Sequence, residues 1–346
     1  MRRARHFLAS VASREASIGC GWAEWLGSRA QPLIHRSRHD LFSRFLPDVF
    51  TPLKAVECTR SIARSLQETY ILFRNAAFVE NMLADWAVQV GPVQTSSIKA
   101  AARLSAFTTV PWAGAEHLII YAKLLCVLFE FDDVSSDCKS ISTELHRRAA
   151  AACAEMCLHT AMEPPSDMPE HASGVAYMLS ALNAEAQGLL CEVGLDRFFQ
   201  GTMLERPEHA PSVSCHLAIS KASGYQGTEQ CLRLQRVFFF GAESGGEQWS
   251  TALRVACLIV VHTNDVASYY KEIANGEVLN SIIVRQAAGR SFERAFLEVS
   301  DVVRCLSQHL ACLVGRLTAQ ERLVLLWWVL GYARFEGVRA DIRNAQ

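Results

Sequence analysis

Three long apolar stretches constrain this chain more than any other feature. They are Leu118–Phe129, the run ALRVACLIVVHT from Ala252 to Thr263, and LVLLWWVLGY from Leu323 to Tyr332. Each is apolar on nearly every side at helical spacing and carries few turn signals, so each predicts a helix buried among other helices. Pro111 is placed to open the first of them. None reaches the roughly 20 apolar residues needed to cross a bilayer, so the expectation is a soluble protein with no integral membrane segment. The chain has 346 residues, 50% of them hydrophobic, which is enough for a large core without disulfides or a structural metal. The fold class expected is therefore all-α, a helical bundle whose central helices surround a cavity or a packed core. No internal repeat is visible, and only Pro164, Pro165 and Pro169 mark a polar break, which favours one domain. The division expected is an N-terminal extension over 1–75, partly ordered, followed by an α-helical domain over 76–346.

Charge excludes some functions. The 34 Lys and Arg balance 35 Asp and Glu, so no net field points to nucleic acid or an anionic membrane, and charge that matters must be local. The twelve Cys, Cys126, Cys257, Cys305 and Cys312 among them, lie in apolar runs without C-x-x-C pairs. They read as buried free thiols in a reducing compartment. Cys153 with Cys157, and Cys305 with His309 and Cys312, share helical faces and could offer metal ligands, but packing through Cys and His explains them more simply. The location expected is cytoplasmic. The first 38 residues hold seven Arg and two Glu, a composition compatible with an organelle transit peptide.

Two polar clusters follow buried segments. The first is Phe131-Asp132-Asp133-Val134-Ser135-Ser136-Asp137. Asp133 and Asp137 are neighbours four apart on a helix, with Asp132 about 100° away, so three carboxylates crowd the negative end of an apolar helix. Their mutual repulsion is relieved by a divalent cation, and hard oxygen donors without His or Cys point to Mg²⁺. The second cluster is Asn264-Asp265-Val266-Ala267-Ser268-Tyr269-Tyr270-Lys271-Glu272. Asn264, Ser268 and Glu272, four apart, form one stripe of amide, hydroxyl and carboxylate oxygens, with Asp265 off the stripe and Lys271 beside it.

Together the clusters resemble the aspartate-rich and N-D-x-x-S-x-x-K-E motifs of class I terpene synthases. The resemblance extends over Phe78 to Val303, with Ala84-Asp85-Trp86 upstream and Gly276-Glu277-Val278-Leu279-Asn280 downstream, as in microbial sesquiterpene cyclases. It implies a terpenoid synthase bundle around an apolar active-site cavity, three Mg²⁺ ions and a prenyl diphosphate substrate, most naturally the C15 farnesyl chain. Asp132, with Asp133 or Asp137, would hold two ions, and Asn264, Ser268 and Glu272 the third. Lys271 would help neutralise the departing diphosphate, while Phe107, Phe129 and Tyr269 are candidates to line the cavity. Oligomeric state is left as monomer or homodimer.

The chain also departs from that family's pattern. In Pro211-Ser212-Val213-Ser214-Cys215-His216-Leu217-Ala218-Ile219-Ser220-Lys221, Ser220 falls where the family carries a diphosphate-sensing Arg. Lys221 is the nearest replacement cation, and Gly224 fits the helix-break glycine. The C-terminal Arg-Tyr pair is missing, leaving Arg339 and Arg343 as candidates to arrive as a closing lid. The usual Asn-Pro-His signature is absent before Phe78. Two alternatives to a cyclase therefore stand: a weak or inactive relative acting as a binding or scaffold protein, and a chain-elongating prenyltransferase, which would ordinarily show a second D-D-x-x-D where Asn264 to Glu272 lies.

Overall fold

The computed structural model describes residues 49–54, 69–91, 93–110, 113–137, 143–159, 166–168, 170–186, 188–204, 222–240, 246–274 and 279–344. Among them there is no strand, and thirteen helices carry the chain. In chain order they are α1 (Thr51–Lys54), α2 (Thr69–Val90), α3 (Thr95–Thr108), α4 (Ala115–Asp137), α5 (Thr143–Leu158), α6 (Glu170–Ala186) and α7 (Leu189–Val193). Then come α8 (Asp196–Leu204), α9 (Ala222–Phe240), α10 (Glu247–Ala274), α11 (Ser281–Ala287), α12 (Phe292–Val314) and α13 (Ala319–Asn344). The three apolar stretches fall inside α4, α10 and α13, as their patterning predicts. No helix among the described residues is long and apolar enough to cross a membrane.

Those three helices belong to a closed ring: α3 packs on α4, α4 on α9, α9 on α10, α10 on α13, and α13 back on α3. A helix within such a ring has neighbours on both flanks, which is why its sequence is apolar almost all round. Outer helices show the opposite pattern. On α12 the buried residues are Phe292, Ala295, Val299, Val303, Ser307, Leu310 and Val314, a single stripe at steps of three and four, and α12 lays that stripe against α10, α11 and α1. Cys305 and Cys312 lie on its exposed side, so the expectation that they pack as buried thiols is corrected, whereas Cys126, Cys153, Cys157, Cys231 and Cys257 are buried.

Local chemistry starts the helices where the ring needs them. At α13, Thr318 Oγ1 accepts from the Glu321 N–H at 3.3 Å and Glu321 Oε2 accepts from the Thr318 N–H at 3.2 Å, a reciprocal cap. Glu321 also accepts from Arg236 of α9 at 3.2 Å, tying two ring members together. Further along α13, a Cβ on Gly331 would sit 2.1 Å from the Phe107 carbonyl oxygen, so only glycine permits this approach of α13 to α3. A buried polar chain locks the same corner. The Trp328 Nε1–H donates to the Tyr121 hydroxyl at 2.8 Å, and Tyr121 meets Thr108 Oγ1 at 3.1 Å. Burial holds the Tyr121 phenol well above its ordinary pKa, so it stays neutral.

The N-terminal side of residue 76 contributes to this core. Val49, Phe50 and Leu53 are buried with it, α1 packs on α12, and α2 runs through from Thr69 to Val90.

Candidate metal and diphosphate site

Two faces of α10 divide the work of this helix. Asp265, Val266, Tyr269, Tyr270 and Ile273 are buried, while Asn264, Ser268, Lys271 and Glu272 are half-buried. Asn264, Ser268 and Glu272 thus form the stripe that their spacing predicts. Each has an identified partner. Ser268 Oγ donates to the Asn264 carbonyl at 2.7 Å, which commits the hydroxyl hydrogen to the helix and leaves the oxygen as an acceptor for a cation. Glu272 Oε2 accepts from Asn280 Nδ2 at 2.8 Å, and Asn264 Oδ1 lies 3.1 Å from the Tyr332 hydroxyl of α13.

An amide, a hydroxyl and a carboxylate on one helix face are hard oxygen donors, and that donor set fits Mg²⁺. Among the described residues no group of three or more His, Cys, Asp or Glu gathers as a metal site.

Asn280 is the frame of this end. It is fully buried, donates also to the Asp265 carbonyl at 2.7 Å, and accepts at Oδ1 from the Ile282 N–H at 2.8 Å as the N-cap of α11. Asp265 serves the same junction: its Oδ2 accepts from the Ser281 N–H at 3.1 Å and from the Ser281 hydroxyl. Asp265 therefore anchors α11 rather than joining the stripe. Tyr269 likewise faces outward from the ring, donating to Gln286 Oε1 at 2.7 Å and packing on Phe292 with ring centroids 5.0 Å apart. Of the two roles open to it, cavity wall or core packing, Tyr269 takes the second, as a clamp between α10, α11 and α12.

The acidic cluster occupies the C-terminal end of α4. Phe131 is buried and meets Phe199 of α8 edge-on at 4.9 Å, fixing the last apolar turn, and Asp132 directly after it is exposed. The backbone of Asp133 and Asp137 continues the helix, and their side chains lie outside what the structure describes. The first turns of α9 stand between the two clusters. A Cβ on Gly227 would lie 3.7 Å from Leu128 of α4, and one on Gly224 would lie 3.7 Å from Val261 of α10. Leu128 precedes Asp132 by about 6 Å of helix and Val261 precedes Asn264 by about 4.5 Å, so the acidic end and the stripe sit at the same end of the ring.

The remaining candidates are placed unevenly. Phe107 is buried on α3 and Phe129 half-buried on α4. Gly224 lies in the first turn of α9, which starts at Ala222, and the residues before it, where a break beside Gly224 would fall, lie outside the described residues. Ser220 and Lys221, with the segment from Pro211, lie outside the described residues. Arg339 and Arg343 belong by backbone to the last turns of α13, whose helix continues to Asn344, and their side chains lie outside what the structure describes. Sequence reasoning passed over Arg334. It directly precedes Phe335, is half-buried, and has a guanidinium whose pKa burial lowers, a cation partly withdrawn from water on the helix that carries Tyr332. The missed signals were short: Arg334 beside Phe335, and Tyr332 one helical turn after Trp328.

The fold is the all-α class I terpenoid synthase fold. Germacradien-4-ol synthase from Streptomyces citricolor superposes with a TM-score of 0.58 at 17% identity, covering 76% of this chain and 94% of that one. 2-Methylisoborneol synthase from Streptomyces coelicolor A3(2) gives 0.61 at 17% identity over 77% and 90%. Linalool/nerolidol synthase from Streptomyces clavuligerus gives 0.58 at 16% identity over 76% and 95%. Residues 243–306, which contain α10 and the stripe, match the model of the terpene synthase family 2 C-terminal metal-binding domain. No curated protein matches the sequence closely enough to count as a relative. The chain thus has the fold of the class I terpenoid synthases, and its residues 243–306 are similar to the metal-binding domain of terpene synthase family 2.

Proposed function

We propose that this chain is a Mg²⁺-dependent cyclase that ionises a linear prenyl diphosphate, farnesyl diphosphate foremost, and closes it to a sesquiterpene with release of diphosphate. The observation that carries the reading is the half-buried stripe of Asn264, Ser268 and Glu272 on α10, within the segment that matches a metal-binding domain. Names of the structural neighbours, synthases of germacradien-4-ol, linalool/nerolidol and 2-methylisoborneol, support terpenoid chemistry on this fold.

Asn264, Ser268 and Glu272 would hold one ion, and Asp132 with Asp133 or Asp137 the others. Bound there, Mg²⁺ supplies positive charge to a diphosphate as it departs. In the step itself the allylic C–O bond breaks and its electron pair leaves with the diphosphate oxygen. Lys271, half-buried next to Glu272, and Arg334 are the described cations suited to stabilise that charge, which counts for more where water is thinned out. The carbocation left behind survives where water is excluded, and the apolar ring of α3, α4, α9, α10 and α13 provides such surroundings. Loss of a proton, giving a hydrocarbon, or capture of one water with loss of its proton, giving an alcohol, then completes the reaction, so no protein nucleophile is required.

The test is incubation of pure protein with Mg²⁺ and, separately, the C10, C15 and C20 diphosphates, each with and without isopentenyl diphosphate, followed by mass analysis of the extracted volatiles and of the diphosphates left in the aqueous phase. A cyclic C15 hydrocarbon or alcohol that disappears with EDTA supports the proposal. A longer prenyl diphosphate would assign a chain-elongating transferase instead, and diphosphate binding without product would assign an inactive relative.

A further inference from the structure

The Tyr332 hydroxyl carries one hydrogen yet stands within bonding distance of two acceptors as placed: Asn264 Oδ1 at 3.1 Å and Glu336 Oε1 at 3.0 Å. The oxygen and nitrogen ends of an asparagine amide occupy nearly the same space, so the amide turned end for end fits equally well. Turned, Asn264 Nδ2 donates to the Tyr332 oxygen and Tyr332 donates to Glu336, so the hydroxyl hydrogen no longer serves two acceptors. Asn264 Oδ1 then points away from Tyr332.

We propose that Glu336 and Tyr332 form a positioning relay that fixes the Asn264 amide with its nitrogen toward α13, so that its oxygen is presented as a ligand on the α10 face. This rests on the reading of that face as a metal site, and it assigns a task to two α13 residues outside the two motifs. The surroundings favour a relay that holds its shape. Glu336 is buried at 4% exposure, and the Tyr332 ring stacks on Trp328 with centroids 5.6 Å apart and planes within 5°. Trp328 is in turn bonded to Tyr121, so the hydroxyl is aimed by the core of the ring. The relay solves a problem peculiar to an amide ligand. A carboxylate offers oxygen whichever way it turns, whereas an amide turned wrongly offers N–H hydrogens to a cation.

The relay is a matter of orientation, so its removal should weaken metal binding without unfolding the protein. Partners of this kind contribute on the order of tenfold in metal affinity. The probe is Mn²⁺ with inorganic diphosphate, read by loss of the free Mn²⁺ electron paramagnetic resonance signal, on wild type, Tyr332→Phe, Asn264→Ala and the double variant. Tyr332→Phe keeps the ring on Trp328, and the expectation is roughly tenfold weaker Mn²⁺ binding by a protein that still melts cooperatively, with only the small drop in melting temperature that one lost buried hydrogen bond brings. In the Asn264→Ala background the same change should have no further effect, because the group it orients is gone. Glu336→Leu provides a second route should Tyr332→Phe fail to fold. It removes the acceptor from Tyr332, turns its hydrogen back to Asn264, and should weaken binding severalfold with the hydroxyl still present.

Equal binding by wild type and Tyr332→Phe, or additive losses in the double variant, would overturn the relay while the metal site stands. Wild type that binds no Mn²⁺ with diphosphate would overturn the metal site, and the relay with it.

Discussion

Asn264 and Asp265 are adjacent on α10 and nearly the same shape, yet they sit on different faces with different work. Asn264 is half-buried and meets Tyr332 of the ring helix α13, while Asp265 is buried and bound twice to Ser281 at the start of α11. The acid, which by residue type is the more obvious metal ligand, is structural, and the neutral amide is the residue proposed to meet a cation. The element that packs against each oxygen sets its partners: α13 for Asn264 and α11 for Asp265.

The largest expected effect breaks the stripe side of this comparison. Asn264→Ala or Glu272→Gln should lower turnover at limiting Mg²⁺ on the order of a hundredfold, partly recovered at high Mg²⁺, with melting almost unchanged, because each removes or neutralises a ligand without exposing core. A Mg²⁺ titration of diphosphate release reads it, and full activity at low Mg²⁺ would remove the stripe from the mechanism. On the other face, Asp265→Ala should reverse the pattern. It strands the buried Ser281 donors, so a loss of about 2–4 kcal/mol is expected in urea unfolding, with the Mg²⁺ requirement of the folded enzyme held within about twofold. Large damage to Mg²⁺ dependence alone would place Asp265 on the wrong face.

Smaller changes sharpen the contrast. Tyr269→Phe deletes only the hydroxyl on buried Gln286 and should cost about 1 kcal/mol in the same unfolding assay, leaving products unchanged. Cys257, buried on α10, has its thiol pKa raised mainly by desolvation, so the folded protein holds a proton that the unfolded chain releases above the ordinary thiol value near pH 8.5. Its contribution is complete below that pH and is lost as pH rises toward the folded value. Between pH 8.5 and 10 wild type should therefore lose stability more steeply than Cys257→Ala, by up to about 1.4 kcal/mol per pH unit. Parallel slopes would mean that the thiol is not held in a dry environment.

The sequence shows some of this design and conceals the rest for identifiable reasons. Buried ring helices are legible because having neighbours on both flanks demands apolar residues all round, as in α4, α10 and α13. The stripe is legible because spacing by four on one helix is a local property. Asn280, Tyr332 and Glu336 are not, since the bonds that join Tyr332 to Asn264 exist only once α13 packs on α10. Cys305 and Cys312 mislead for a related cause: an amphipathic helix such as α12 shows its apolar stripe in sequence, but a cysteine suits either flank. Arg334 is hidden by the ordinariness of a lone Arg, and only its partial burial sets it apart.

The central claim is that the half-buried flank of α10 binds metal for diphosphate departure, and the most direct measurement is Mg²⁺-dependent diphosphate release from farnesyl diphosphate by wild type, Asn264→Ala and Asp265→Ala in parallel. The account predicts release by wild type that EDTA abolishes, release by Asn264→Ala only at raised Mg²⁺, and release by folded Asp265→Ala at the wild-type Mg²⁺ requirement. Release by wild type that is indifferent to Mg²⁺, or an Asn264→Ala titration superimposable on wild type, would contradict it.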